Sequence, residues 1–66
     1  MKFRCKQLVR HLRTGGVYRI IHGPSVCRIE TTNAPAYAYV LDGGPDDATI
    51  WVRPQAEMED GRFEPA

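Results

Sequence analysis

The side chains of this 66-residue chain that could do chemistry are arginines interleaved with aromatic rings. The candidate binding set comprises Arg10, Arg13, Tyr18, Arg19, Arg28, Tyr37, Tyr39, Trp51 and Arg53. Nucleic-acid surfaces combine arginines, which contact phosphates, with aromatic faces, on which bases stack. The set therefore predicts a basic and aromatic face that binds an anionic partner, either nucleic acid or a nucleotide.

The same residues also have a structural interpretation. The rings could fill the interior of a small fold, and at least one of Tyr37 and Tyr39 is expected to be buried. Trp51 has the largest apolar body in the chain, so we interpret it first as the seed of the core. Arg53, at the end of the same predicted strand, could brace a carboxylate such as Glu57. Both interpretations of the set remain open at this point.

Charge is distributed unevenly along the chain, although the net charge is only +1. Residues 1–28 carry seven basic and no acidic side chains, whereas residues 29–66 carry eight acidic side chains and two basic ones. Such a split can mark a basic binding face with an acidic tail. It is equally consistent with two halves that interleave and neutralise each other, because sequence position does not fix which charges share a face.

Cysteine and histidine residues are the candidates for a metal site. Cys5, His11, His22 and Cys27 are separated by five, ten and four residues. Structural zinc sites usually present their ligands in close pairs from a tight turn, and neither pair here has that spacing. We therefore predict no metal or other cofactor, with both cysteines as free thiols in a reducing compartment.

Nucleophilic catalysis has candidate residues but no motif. The possible nucleophiles and bases are Ser25, Cys27, Thr31, Thr32, His11 and His22. None of them lies in a nucleophile elbow or an active-cysteine motif, and the glycine pairs 15–16 and 43–44 do not begin a phosphate loop. A chain of this length also has little room for a deep cleft. The sequence therefore predicts a protein that is not an enzyme.

Alternating apolar side chains, interrupted by Gly, Pro and Asn turns, predict an all-β fold. The predicted strands are Gln7–Leu12, Val17–His22, Val26–Thr32, Ala36–Leu41 and Thr49–Arg53. The first two are expected to form a hairpin, and Pro54–Glu59 is expected to make one helical turn. Arg62-Phe63 could return to the body of the domain. Five short strands predict a small SH3-like barrel, with an OB-like barrel as the alternative.

Residues 7–64 are predicted to form this single domain, between a basic N-terminal lead-in, residues 1–6, and a frayed tail, residues 65–66. No apolar run approaches the ~18 residues of a transmembrane helix. No apolar segment of a signal peptide follows the basic N-terminus. We therefore expect a cytoplasmic protein with no membrane partner, either a monomer or a weak homodimer.

Several short motifs of the chain match a known pattern. They are Val9-Arg10-His11, Gly16-Val17-Tyr18-Arg19-Ile20-Ile21, Tyr37-Ala38-Tyr39, Ile50-Trp51-Val52-Arg53-Pro54, Glu57-Met58-Glu59-Asp60-Gly61 and Arg62-Phe63-Glu64. In these motifs, over residues 8–64, the chain resembles a family of small bacterial and phage domains of unknown function, and it is most similar to the phage-encoded versions. It departs from the family at Ala56 and Met58, where members often carry a phenylalanine. The resemblance implies a β-rich SH3-like fold and no established activity.

These observations together predict a non-enzymatic binding module whose basic and aromatic face takes nucleic acid or a nucleotide. The alternative is a protein-interaction module that binds and modulates a host protein. The acidic C-terminal half and the resemblance to phage domains favour that alternative. An SH3-like groove lined by tyrosine and tryptophan can take a peptide, and an exposed edge strand can pair with another chain.

Overall fold

The computed structural model describes residues 1–66 as one antiparallel sheet with a short helical segment. The elements are β1 (Leu8–His11), β2 (Val17–His22), β3 (Ala36–Leu41), β4 (Trp51–Pro54), α1 (Gln55–Glu57), a π-helical turn (Met58–Arg62) and β5 (Phe63–Pro65). The strand order is β4-β3-β2-β1-β5, and the sheet curls into a half-barrel. The predicted small all-β, SH3-like fold is therefore confirmed. None of the helices has the length and apolar character needed to cross a membrane.

The central strands follow from their β-branched and aromatic residues, which suit a pleated, half-buried surface. β1 and β2 form a hairpin in which Val9 lies opposite Tyr18. β2 pairs with β3 so that Ile20 lies opposite Tyr39. The predicted hairpin and the predicted bounds of β2 and β3 are confirmed.

The predicted strand Val26–Thr32 is wrong. Asn33 N–H donates to Ile29 O at 2.7 Å, and only an isolated bridge joins Arg28 to Pro35. Asn33 has a φ of +58°, a left-handed conformation that closes this local turn. Backbone N–H and C=O groups of this segment therefore form hydrogen bonds within its own loop. Groups bonded in this way are not free to pair with a neighbouring strand.

The fifth strand instead comes from the end of the chain. β5 pairs with β1, and Phe63 lies opposite His11. Ala66 N–H also donates to a carbonyl of β1 at 3.0 Å, so residues 65–66, predicted as a frayed tail, are bonded to the sheet. Gly61 has a φ of +104° and turns the chain from the π-helical turn into β5. Glycine suits this position because other residues adopt such a positive φ only with backbone strain.

The hydrophobic core lies on the concave side of the sheet. Its members are Phe3, Val9, Ile20, Tyr37, Tyr39, Met58 and Phe63. Phe3 is fully buried, although it belongs to the predicted lead-in, and its ring packs edge-to-face on Tyr37 at 5.8 Å. The N-terminal residues are therefore part of the packed domain.

Trp51 is not a core residue, since 52% of it is exposed. It lies on β4, which is an edge strand with a neighbour on one side only. The interpretation of Trp51 as the seed of the core is therefore wrong, because the size of an apolar side chain does not determine which strand occupies the edge. Tyr37 and Tyr39, on the neighbouring strand, are both buried.

Candidate functional site

A groove lined mainly by aromatic rings opens on the concave face, where β4 and β5 approach each other. We call it the aromatic groove, and its lining residues are His11, Thr14, Tyr18, Tyr39, Trp51, Arg53 and Phe63. Its volume is ≈ 200 Å³. Pockets for drug-sized ligands start at about 300 Å³, so this groove suits a single flat ring.

The alternation of side chains along each strand places these residues on one face. Cross-strand neighbours share a face of a sheet. Tyr39 lies opposite Trp51, and His11 lies opposite Phe63. The register of the sheet therefore assembles the groove from strands that are distant in sequence.

The floor of the groove is a set of rings in mutual contact. Tyr39 packs edge-to-face against Tyr18 at 5.3 Å and against Phe63 at 5.6 Å between ring centres. Such pairs contribute about 0.5–1.5 kcal/mol each beyond their burial. His11 packs on Phe63 at 4.8 Å, and its Nδ1 lies 3.0 Å from Thr14 Oγ1. Each ring of the floor therefore packs against at least one other ring.

Arg53 forms one wall of the groove. Its Nε–H donates to Tyr39 Oη at 3.3 Å, and its guanidinium lies 5.6 Å from the centre of the Phe63 ring. The hydrogen bond with Tyr39 raises the pKa of Arg53 above its ordinary value, although partial burial acts in the opposite direction. The predicted brace is confirmed, because Arg53 Nη1 donates to Glu57 Oε1 at 3.3 Å. Arg53 is thus a fixed positive charge at the groove.

A second concavity, which we call the basic hollow, adjoins the aromatic groove. It is lined by His11, Leu12, Arg13, Arg53 and Arg62. Arg62 is paired with Glu57 at 2.7 Å and with Asp60 at 3.4 Å. Arg13 is exposed and makes no ion pair. The hollow therefore contains one free guanidinium and two that already share acidic partners.

Other arginines of the predicted set lie away from this site. Arg10 and Arg19 point to the convex face, where they pair with Glu64 at 3.7 Å and Asp42 at 2.8 Å. Arg28, in the loop before β3, donates to a backbone carbonyl at 2.9 Å. The structure thus brings together only part of the predicted set around the groove and the hollow. That part consists of Arg13, Tyr18, Tyr39, Trp51 and Arg53.

Tyr37, also in the predicted set, has a structural position. Its hydroxyl donates to Glu59 Oε2 at 2.6 Å and accepts from the Phe3 N–H at 3.1 Å. Burial is the main reason that the pKa of Tyr37 is raised, and the hydrogen bond to Glu59 adds to it. Tyr37 therefore fastens the N-terminal segment to the core and does not line the groove.

Some lining residues of the groove and the hollow lie outside the predicted set. They are His11, Leu12, Thr14, Arg62 and Phe63. For His11 a signal exists, since it shares its parity in β1 with the apolar Val9 and differs from Arg10. Phe63 reaches the groove only because β5 pairs with β1, which no local pattern indicates.

Metal ligation finds no support in the side-chain arrangement. No group of three or more His, Cys, Asp and Glu side chains is placed to hold a metal ion. Cys5 and Cys27 are free thiols, and the exposed Cys5 donates its thiol hydrogen to Ile21 O at 3.2 Å.

Comparison with known proteins adds no further constraint on the site. No protein-family model, no curated protein and no solved structure matches the chain. The interpretation of the groove and the hollow therefore depends on their own geometry and chemistry.

Proposed function

We propose that the protein is a small binding module, not an enzyme, that takes an anionic partner carrying a planar ring. The partner class is a nucleotide, free or as a unit of single-stranded nucleic acid. The observation that carries the proposal is the continuity of the two surfaces, because His11 and Arg53 line both the aromatic groove and the basic hollow. A nucleotide joins a flat ring to a phosphate, and these neighbouring surfaces complement both parts.

The ring of the ligand would enter the aromatic groove. Trp51 stands half-exposed at its rim and Tyr18 is partly exposed, so both have ring surface for stacking. Stacking of one base on an aromatic side chain contributes about 1–3 kcal/mol and tolerates any base. The groove volume of ≈ 200 Å³ accommodates one ring, which favours a single nucleotide unit over a stacked pair.

The phosphate of the ligand would lie in the basic hollow. Arg13 has no acidic partner, whereas Arg53 and Arg62 both contact Glu57 Oε1. A phosphate oxygen can replace that shared carboxylate oxygen, because guanidinium groups bind phosphate in the same fork geometry as carboxylate. Arg13 would therefore contact the phosphate without first giving up an acidic side chain of the protein.

The test is a titration of isotope-labelled protein with a mononucleotide and with a short single-stranded oligonucleotide, at low and at moderate salt. Amide shifts should cluster on Tyr18, Tyr39 and Trp51 and around Arg13, with quenching of Trp51 fluorescence. Binding of the oligonucleotide should weaken as salt rises. An absence of shifts with both ligands at low salt would overturn the proposal.

Three substitutions distinguish binding at the proposed site from nonspecific attraction between the protein and an anion. Trp51→Ala should lower the affinity about 5-fold to 150-fold, which corresponds to the loss of one stacked base. Arg13→Ala should lower it about tenfold at low salt and make the salt dependence less steep. Arg19→Ala removes the same charge from the convex face and should change the affinity little. Equal losses in Arg13→Ala and Arg19→Ala would indicate nonspecific attraction.

A protein-interaction module that binds a host protein is the second candidate. Four half-exposed apolar side chains at the ends of β3 and β4, Leu41, Ile50, Trp51 and Val52, favour it. Apolar docking of this kind is insensitive to salt, whereas phosphate binding is not. A protein partner retained after nuclease treatment and at high salt would favour this candidate over the nucleotide.

A further inference from the structure

The outer edge of β4 is an unpaired strand edge with exposed apolar side chains. β4 ends the sheet and has β3 as its only neighbour. Ile50, Trp51 and Val52 are 59%, 52% and 48% exposed. A bare apolar edge of this kind is a template for another strand, and natural proteins usually protect such edges.

We propose that two copies of the chain pair through this edge, with β4 antiparallel to β4 of the second copy about a two-fold axis. The two five-stranded sheets would then form one continuous ten-stranded sheet, and both aromatic grooves would face the same side of it. This inference does not depend on the proposed function, because its hydrogen bonds use the backbone of the edge. The two share one residue, Trp51, which lines the groove and also lies at the centre of the pair.

The backbone of β4 determines the register of the pair. Gln55 N–H donates to Pro35 O at 2.8 Å. The backbone N–H and C=O groups of Trp51 and Arg53, which alternate in step with Gln55, therefore point toward β3. By alternation, those of Val52 and of Ile50, the residue directly before β4, point to the open edge. Pairing Ile50 of one copy with Val52 of the other satisfies both residues in each copy. Pro54 has no N–H and ends the ladder.

The side chains of this register match without conflict. Trp51 lies opposite Trp51 of the second copy, a non-hydrogen-bonded pair in which side chains are closest. Residues 48–52 carry no charge, so no like charges meet across the edge. In this register Arg53 of one copy lies opposite Thr49 of the other, so the charged Arg53 meets an uncharged polar residue at both ends of the pair.

The opposite edge of the sheet is protected. β5 carries Glu64 and Pro65, and a charged residue and a proline are both common defences of an edge strand. Because only one edge of each copy is available, the assembly closes as a dimer and does not grow into a fibre.

The size of the contact sets its strength. A standard interface buries about 800 Å² on each partner, and an edge of a few residues covers less than that. We therefore expect a reversible dimer with a dissociation constant of roughly 10 µM to 1 mM. A second copy fits this edge better than a large partner because the two edges are identical and self-complementary.

Sedimentation equilibrium of the full chain, from about 10 µM to about 2 mM, tests the dimer over that range. The wild type should shift from monomer to dimer as concentration rises. Val52→Lys places a charge at the edge on the face opposite the aromatic groove and should weaken association at least tenfold. Val26→Lys makes the same change at an exposed loop position and should dimerise as the wild type does. A wild-type monomer throughout, or equal association of both variants, would overturn the proposal.

Amide hydrogen exchange of the wild type tests the register without any substitution, and so remains decisive if Val52→Lys fails to fold. Ile50 and Val52 N–H should exchange at least several-fold more slowly at high than at low concentration, while amides of β5 do not respond. Concentration-dependent protection elsewhere would assign the dimer to another surface and overturn the proposal. Nucleotide binding measured at monomeric concentrations is a separate result, so the two proposals can fail independently.

Discussion

Glu59 carries the densest set of hydrogen bonds to a single carboxylate oxygen in the molecule. Its Oε2 accepts from Tyr37 Oη at 2.6 Å, from Lys2 N–H at 2.9 Å and from Gln55 Nε2 at 3.1 Å. Burial acts to raise the pKa of Glu59, but these hydrogen bonds outweigh it, and the pKa lies below the ordinary 4.5. The charged form of Glu59 is therefore stabilised in the folded state.

This shift makes stability depend on pH in a defined direction. A carboxylate whose pKa is lower in the folded state stabilises the fold above its unfolded pKa, and that contribution is lost as pH falls through the folded value. Glu59→Gln should lower the free energy of unfolding by about 1–3 kcal/mol at neutral pH. The difference in the free energy of unfolding between Glu59→Gln and the wild type should shrink as the pH falls below 4.5. Urea unfolding of both proteins over a pH series measures it.

The control for this prediction is Glu30→Gln, which removes one exposed glutamate charge from the loop before β3. It should follow the wild-type pH profile closely. A Glu59→Gln deficit that stays constant down to strongly acidic pH would show that lost packing, and not the charged hydrogen bonds, causes the destabilisation.

At the scale of single residues, the sequence predicted the types of side chain that line the groove and the hollow, aromatic rings and arginines, better than it predicted which residues they are. The parity of β2 is enough to place Tyr18 and Arg19 on opposite faces, once it is applied to each residue. The alternation of side chains along a strand does not indicate which face of the sheet is concave. It also does not indicate that β4 is the edge strand, on which Trp51 is exposed. Those facts depend on the strand order, which local patterns do not encode.

At the scale of secondary-structure elements, the position of β5 depends on Gly61. Its φ of +104° reverses the chain between the π-helical turn and β5. A Cβ there would meet nothing within 4 Å, so substitution adds backbone strain and no clash. Gly61→Ala should therefore lower the free energy of unfolding by about 1–2 kcal/mol, measured by chemical denaturation.

Gly61→Asn is the matched variant, because asparagine adopts left-handed conformations more readily than alanine. It should lose less stability than Gly61→Ala. Equal losses from alanine and asparagine would mean that the backbone conformation is not the cause.

The elements themselves were partly predictable. β2 and β3 follow from their alternating apolar residues, but Val26–Thr32 has the same alternation and forms no strand. Its backbone is engaged locally, between Asn33 and Ile29. β5 has only three residues, too few for a periodic signal, and its pairing with β1 joins residues that lie far apart in sequence. Short strands fixed by distant partners are beyond local patterns.

At the scale of the whole molecule, the fold brings two arginines of the basic half beside carboxylates of the acidic half. Arg10 pairs with Glu64 and Arg19 with Asp42, each joining the basic half to the acidic half. These exposed pairs contribute little stability, at most about 1 kcal/mol each. The interleaved arrangement, one of the two alternatives left open by the sequence, therefore describes these charges.

The N-terminal segment closes the core of the whole domain. Phe3 is fully buried, and its N–H is bonded to Tyr37 Oη. Phe3→Ala should cost about 3–5 kcal/mol, which is a large share of the about 5–15 kcal/mol that stabilises a typical domain. The variant should be largely unfolded at moderate temperature, as judged by circular dichroism and amide dispersion.

Two variants test the reason for that loss. Phe3→Leu keeps most of the buried apolar volume and should retain the fold with a smaller deficit. Val26→Ala removes an exposed apolar side chain and should change stability by less than about 0.5 kcal/mol. A stable Phe3→Ala protein would mean that the lead-in is dispensable for the core.

The pairing of β5 with β1 also affects the order in which the chain can fold as the ribosome releases it. β1 emerges first, yet its outer edge stays bare until Phe63–Pro65 has been synthesised. Because Phe63 also completes the core, the nascent chain cannot reach its native packing before that point. Folding of this domain should therefore be a late, nearly all-or-none event on the ribosome, and chains stalled before residue 63 should remain sensitive to protease.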